Sequence, residues 1–376
     1  MSKASVSSEP TRASPTRAQR SPRVLVVGHH EVDYPRNVVN QRLIRALGYD
    51  IKLVHSRAPG GVRELVLFWG TLRHAKNADV VFLTEGAHRH APLIKLAAKL
   101  AGKQLIFDAF TSRYNTYVED RRVYAPRSLQ ALRCWLLDWV SMHCTDAAVF
   151  DTAEHREYFS RRYGLPPRGH VIEVGADESL FRPSPPPPEK RQDETFEVLF
   201  YGTYIPLQGI EHIIGAAREL AGRAFHFNLV GHGQTRPDIE RRLLEAKLSN
   251  VSLLEPVPSA ALAEHLRRAD AVLGIFGDSI KAGNVVPNKV VQAAASARPI
   301  VTRQSPALGR YFEHGRDALL INPADPSALA QALVSLKEDR ALQLRLAENA
   351  RRTFERHFSE SALTSKMAEA LRLTPP

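Results

Sequence analysis

Twice along this chain, short runs of β-branched and aliphatic residues alternate with stretches of helical length, and a run of prolines parts the two series. Strands of nearly continuous apolar character, separated by helix-length segments, signal a parallel sheet covered on both faces. The first series reads VLVV (24–27), a helix near 37–47, IKLV (51–54), a helix, DVVFL (79–83), a helix over 91–101 and QLIF (104–107). Strands at 146–150 and 170–174 follow, around a helix starting near Thr152. Then comes RPSPPPPEKRQDET (182–195), whose consecutive prolines cannot donate ladder hydrogen bonds and favour an extended spacer.

The second series runs EVLFY (197–201), a helix with the stripe Ile210, Ile213, Ile214, Ala217, Leu220 and Ala221, FHFNLV (225–230), a helix near 237–247 and VSLL (251–254). A helix opened by Ser259, AVLGIF (271–276), a helix over 288–297 and PIVT (299–302) continue it. Asp325 before Pro326 is a helix start, and two more helical stretches close the chain. The expectation is α/β: two Rossmann-like, doubly wound parallel-sheet domains facing across a cleft. They span 23–181 and 196–358, joined by the linker 182–195. Residues 1–22 form a disordered basic tail, and 359–376 a C-terminal helix that can pack back on the first domain.

At 376 residues with 44% hydrophobic and 24% charged content, the chain exceeds one core and has the composition of a packed globular protein. The 2 cysteines, Cys134 and Cys144, lie ten apart in one expected helix, about 15 Å along its axis and beyond disulfide reach, so both are read as reduced thiols. No apolar stretch suits a membrane span and the N-terminus lacks a signal-peptide block, which points to the cytosol. The net charge of +11 favours anionic partners, and five basic residues against Glu9 within 1–23 account for part of it. Nucleic acid, anionic lipid and phosphorylated sugars all qualify.

Ligands in such folds bind outside the carboxyl ends of the parallel strands. After the first strand, GHHEVDYPRN (28–37) offers Gly28 for close backbone approach, a helix start near Asn37, and Arg36 beside it; a tight turn with a surface arginine is the alternative. No G-x-G-x-x-G follows, so dinucleotide binding has little support. After the fourth strand, DAFTSRYNTYVEDR (108–121) puts Asp108 at the cleft, followed by Ser112 and a polar cluster suited to a polyhydroxylated ligand, or to an ion-paired helix start. In the second series, Gly202 and the pair Gly231 and Gly233 follow strands where a phosphate or nucleotide can approach.

The segment FGDSIKAGNVVPNKVVQAAASARPIV (276–301) is the most informative. Lys281 sits in an expected glycine-containing loop. Asn288 and Lys289 open a helix after Pro287, with Gln292 one turn on. Two lysines around a helix N-terminus combine dipole, amides and charge into a diphosphate site. Other constellations are thin. His29 with His30, and His88 with His90, lack a third ligand at metal spacing, and neither a nucleophile elbow nor a Walker loop is present. The stretch 127–144, with Trp135 and Trp139 four apart near Arg127 and Arg133, can rest on a membrane surface or an amphiphilic acceptor; a buried helix packing two tryptophans is the commoner use.

The IP-x-x-GI segment (205–210), the PNK-x-x-x-A block and VGADESLF (174–181) resemble glycosyltransferase family 4, retaining enzymes of the GT-B architecture. The resemblance covers Arg23 to about Phe358 and puts Gly175, Asp177 and Phe181 on the family's domain-crossing motif. It implies a metal-independent transfer, without cofactor, of a sugar from a nucleotide-diphosphate sugar to a glycan or lipid-linked acceptor, with retention. It implies no nucleic-acid partner and admits peripheral contact with the inner, anionic membrane face. In this reading Asp108, Lys281 and Lys289 are catalytic; Gly202, Gly231, Gly233, Asn288 and Gln292 bind donor; Gly28, Arg36 and Ser112 face the acceptor. Where members often carry arginine, lysine and two glutamates, this chain has Thr203, Gln208, Asn284 and Gln292. A degenerate glycan- or partner-binding protein and a sugar-nucleotide 2-epimerase are the alternatives.

Overall fold

The computed structural model describes residues 22–28 and 34–371. Residues 1–21, 29–33 (with His29 and His30) and 372–376 therefore lie outside it, and with them most of the expected basic tail. The first domain runs β1 (Arg23–Gly28), α1 (Pro35–Ala46), β2 (Asp50–His55), α2 (Gly60–Ala75), β3 (Val80–Leu83) and α3 (Ala91–Leu100). It continues with β4 (Leu105–Asp108), α4 (Leu129–Cys144), β5 (Ala147–Phe150), α5 (Ala153–Tyr163) and β6 (Arg168–Val171). The second holds β7 (Phe196–Tyr201), α6 (Ile210–Glu219), β8 (Phe225–Val230), α7 (Arg236–Ala246), β9 (Val251–Leu254), α8 (Ser259–Arg268) and β10 (Ala271–Leu273). After it come α9 (Ile280–Asn284), α10 (Asn288–Ala295), β11 (Ile300–Arg303), α11 (Pro306–Gly309), β12 (Leu319–Ile321), α12 (Pro326–Glu338), α13 (Arg340–His357) and α14 (Glu360–Leu371).

The strands form two six-stranded sheets, ordered β2-β1-β3-β4-β5-β6 and β12-β11-β10-β7-β8-β9, with every pairing parallel. The strands read as unbroken apolar runs because both faces are covered. Along β1, Val24 and Val26 join one core cluster while Leu25 and Val27 join the other. Along β7, Phe196, Val198 and Phe200 face one side and Leu199 and Tyr201 the other. In the first domain α2, α3 and α4 pack side by side on one face, and α1 with α14 covers the other.

α14 belongs spatially to the first domain. Leu363, Met367, Ala370 and Leu371 are buried among residues of β1, α1 and β3, and Lys366 pairs with Glu173. The chain thus crosses between domains twice.

Several elements depart from the sequence reading. α1 starts at Pro35, because proline is well suited to a first helical turn. β10 ends at Leu273 although AVLGIF continues, since the Ile275 amide turns to the Thr302 hydroxyl at 3.2 Å. Lys281 is not in a loop: Ser279 accepts from the Ala282 amide at 3.2 Å and caps the short helix α9. The tryptophan helix α4 is not buried as a whole. Trp135 packs against Tyr163 while Trp139, stacked on it at 6.3 Å, is 39% exposed. Cys134 and Cys144 are both free thiols in α4.

Candidate active site at the interdomain cleft

Each sheet reverses its order between two neighbouring strands, β1 and β3 in the first, β7 and β10 in the second. Such a switch point leaves a crevice at the carboxyl ends of the strands. There the domains enclose a cavity of about 620 Å³, within the range of sites for small organic ligands. A separate hollow of about 510 Å³ lies under the proline-rich connection beside Lys190 and Lys337. It touches Phe225 at the amino end of β8, away from the switch points.

The second domain supplies Tyr201, Gly202, Thr203, Gln208, Lys281, Asn288, Lys289 and Gln292 to the cavity wall. α10 begins here with Pro287 at its cap position and no side chain capping its first turn, so its amide dipoles aim at the space. Lys289 is buried, its Nζ donating to Gln208 Oε1 and lying 3.7 Å above the centre of the Phe200 ring. Burial pushes its pKa well below the usual lysine value. Lys281 donates from Nζ to Thr116 Oγ1 at 2.7 Å, across the domain boundary. Burial pushes its pKa down to about 8, with Asp120 acting in the opposite direction.

Tyr201 is fully desolvated, which raises its pKa well above the ordinary phenol value, and its hydroxyl donates to Gln292 Oε1 at 2.8 Å. With its oxygen so engaged, Gln292 has its two N–H groups to offer a ligand. Gly202 has φ +143°, and a Cβ there would sit 3.2 Å from Lys289 Nζ. Gly231 has φ +147°, and its Cβ would fall 2.0 Å from Gly202 O. These glycines bring two strand ends together and so shape the wall against which the Lys289 side chain lies. Gly231 also lines a neighbouring hollow of about 240 Å³ with Pro256, Val257 and Leu262. Gly233 lines neither space; it abuts the Tyr204 backbone.

The first domain contributes Tyr34, Glu85, Thr111, Arg113, Thr116, Tyr117, Arg121 and Asp151. Three residues assigned to this face from the sequence lie behind it. Asp108 is fully buried, and its carboxylate takes two bonds from the Arg36 guanidinium at 3.1 Å and one from Asn40 at 2.7 Å. Arg36 also donates to Ile172 O and Glu173 O, at 2.7 and 3.0 Å. Burial pulls the pKa of Arg36 down, but Asp108 outweighs this and leaves it raised. The pair therefore ties α1 to β4 and to the strand end beyond β6 and does not reach the ligand space. Ser112 is likewise interior, donating to Asp138 at 2.7 Å.

Gly28 meets Thr84, whose Oγ1 a Cβ would approach to 1.9 Å; its smallness serves the β1–β3 contact. Asn284, at a position where the family often has glutamate, uses its backbone carbonyl to accept from Thr152 and does not line the cavity. The polar stretch after β4 has two jobs. Asp138 accepts from the backbone amides of Arg113 and Tyr114, each at 2.9 Å, and so anchors the segment, while Arg113, Thr116, Tyr117 and Arg121 reach the cavity.

Sequence reasoning missed Tyr34, Glu85, Asp151 and Tyr201. Glu85 carried a readable signal, an acid two residues after an apolar strand and directly before Gly86. Burial, with Asp108 next, raises its pKa to about 7. Among the described residues no group of three or more histidines, cysteines or carboxylates is arranged to hold a metal ion.

Residues 195–339 match the family model described as "Glycosyl transferases group 1". An uncharacterized glycosyltransferase, MJ1178, of Methanocaldococcus jannaschii is 26% identical over 161 residues, 43% of each chain. D-inositol 3-phosphate glycosyltransferase of Corynebacterium glutamicum is 27% identical over 60% of this chain and 58% of its own length. The chain thus matches about half the length of these relatives. Among solved structures, Anabaena Alr3699/HepE in complex with UDP-glucose aligns with a TM-score of 0.72 over 93% of this chain and 99% of that one, at 15% identity. The second domain of this chain is thus similar to the group 1 glycosyl transferases, and its two facing Rossmann-like domains have the GT-B architecture of these solved structures.

Proposed function

We propose that the chain transfers a sugar from a nucleoside-diphosphate sugar to an acceptor hydroxyl in the interdomain cleft, with retention at the anomeric carbon. The observation that carries this reading is the convergence of Lys281, Lys289 and the uncapped start of α10 on one cavity. When the bond from the anomeric carbon to the β-phosphate oxygen breaks, its electron pair stays on the diphosphate. Groups that bind this charge more strongly than the ground state speed the reaction. Gln292 holds the ribose, and the hollow beside Val257 and Leu262 receives the base. With two lysines and a helix dipole meeting the charge, the reaction runs without a metal. The glycan or lipid-linked acceptor enters against Glu85, Arg113 and Tyr117. UDP-glucose in the Anabaena relative supports uridine donors as the first to test.

Calorimetry against UDP and GDP is the test. Binding of one at micromolar to low millimolar concentration is expected, and absence of both would favour a protein that holds a glycan or partner without turnover. Product analysis with the matching nucleotide sugar and no acceptor separates transfer from 2-epimerisation. Chelator should leave the rate unchanged.

A further inference from the structure

Most of the exposed large apolar side chains among the described residues lie in one place. Among the described residues, ten of the fifteen exposed large apolar side chains are on α2, α3 and α4, which lie side by side on one face of the first sheet. Val62, Leu65, Val66 and Trp69 come from α2, Leu96 and Leu100 from α3, and Leu129, Leu132, Leu136 and Trp139 from α4. Leu129 is 82% exposed and Trp69 61%. Scattered single apolar residues are ordinary on a protein surface, whereas a concentration on adjacent helices marks a face that meets something apolar.

The charges among them identify the occupant. Exposed Arg73, Lys99 and Arg133 stand between the apolar side chains, one on each helix. These helices carry two carboxylates only. Asp138 is fully buried, and Glu64 is paired with Arg89 at 2.7 Å. A second copy of this chain, docked by the usual two-fold symmetry, would set these cations against their own images. An anionic lipid surface accepts both parts. Leucine and tryptophan enter the boundary of the acyl chains, while arginine and lysine reach the headgroups.

We infer that the outer face of α2, α3 and α4 docks on an anionic lipid bilayer. Each helix starts where the preceding strand ends, so Val62, Leu65 and Leu129 lie at the cleft end of this face. Leu129 follows closely on the segment that delivers Arg113, Thr116 and Tyr117 to the cavity. A docked chain would thereby hold the rim of its cleft next to the lipid. The inference is independent of the donor chemistry proposed above.

Sedimentation of the full chain with phosphatidylcholine vesicles, and with vesicles containing phosphatidylglycerol, tests it. The chain should pellet with the anionic vesicles and be released as salt is raised. Trp69→Ala with Trp139→Ala should lower partitioning by about tenfold or more, and Arg73→Ser, Lys99→Ser and Arg133→Ser by about fivefold each. These positions are exposed, so the unfolding temperature should hold; Leu129→Ser with Leu132→Ser is the second variant should the tryptophan pair disturb folding. Equal pelleting with neutral vesicles, or binding indifferent to both pairs of substitutions, overturns the inference. So does a dimer in analytical ultracentrifugation that the tryptophan substitutions dissolve, since a second copy would then cover the face. A chain that binds UDP but no vesicle loses this inference alone.

Discussion

Two buried cations in this protein are stabilised in opposite ways. Arg36 meets a carboxylate and two carbonyls, whereas Lys289 has only an amide oxygen and an aromatic face, and burial lowers its pKa. That difference separates a structural pair from the lysine proposed to meet an anion. Lys289→Ala should lower transfer at least about tenfold, meaning about 1.4 kcal/mol or more of lost transition-state stabilisation, with little change in unfolding temperature. Asp108→Ala should act in reverse. It strands the Arg36 charge and should cost about 3–5 kcal/mol of stability, seen as a fall in unfolding temperature. The sign for Lys281 follows from its pKa near 8. Below this the ammonium is present and available to the proposed diphosphate; above it the charge is lost, so UDP affinity should fall as pH rises through 8. Bound anion should raise that pKa, so binding near pH 8 takes up a proton, visible as a dependence of calorimetric heat on buffer ionisation enthalpy.

At the scale of elements, the wall proposed to hold the donor depends on strand ends that only glycine permits to close. Gly231→Ala should be costly twice over. Its positive φ disfavours a side chain, at about 1–3 kcal/mol, and its Cβ would meet Gly202 O, displacing the wall beside Lys289. Lower thermal stability together with weaker UDP binding is the expected outcome; an unchanged affinity would detach this pair of strand ends from the donor. The same scale explains the misreading of 276–301. AVLGIF has the composition of a six-residue strand, yet Gly274 and the Thr302 hydroxyl end the ladder early, and Ser279 then caps a turn of helix that delivers Lys281. Both effects depend on a neighbour's side chain or on a single cap. Patterns of hydrophobicity do not register either.

At the scale of the whole molecule, the domains are coupled through the cleft itself. Lys281 binds Thr116, Ser279 donates to Asp120 at 2.9 Å, and Gln234 donates to Arg121 O at 2.9 Å. α14 fastens the end of the chain to the first domain. Truncation after Ser359 should therefore destabilise that domain, although its own strands are intact. Leu363, Met367 and Leu371 are each worth about 1.5–3 kcal/mol of burial, a sum comparable with the whole net stability of a domain at about 5–15 kcal/mol. Thermal denaturation of the truncated chain should show an early transition or loss of the cooperative one. The two Rossmann-like series, the helix starts at Thr152 and Asp325, and the lysine-bearing start of α10 were legible from sequence alone. Each rests on contacts within a few residues, where periodicity, caps and proline act. The location of Asp108 and Ser112 behind the cavity wall, the recruitment of Glu85 and Tyr201, and the return of α14 were decided by tertiary structure. Asp108 finds Arg36 at a separation of 72 residues and Tyr201 finds Gln292 at 91. Whether a polar side chain faces ligand or interior depends on which partners the fold brings to it, and local sequence carries no record of that.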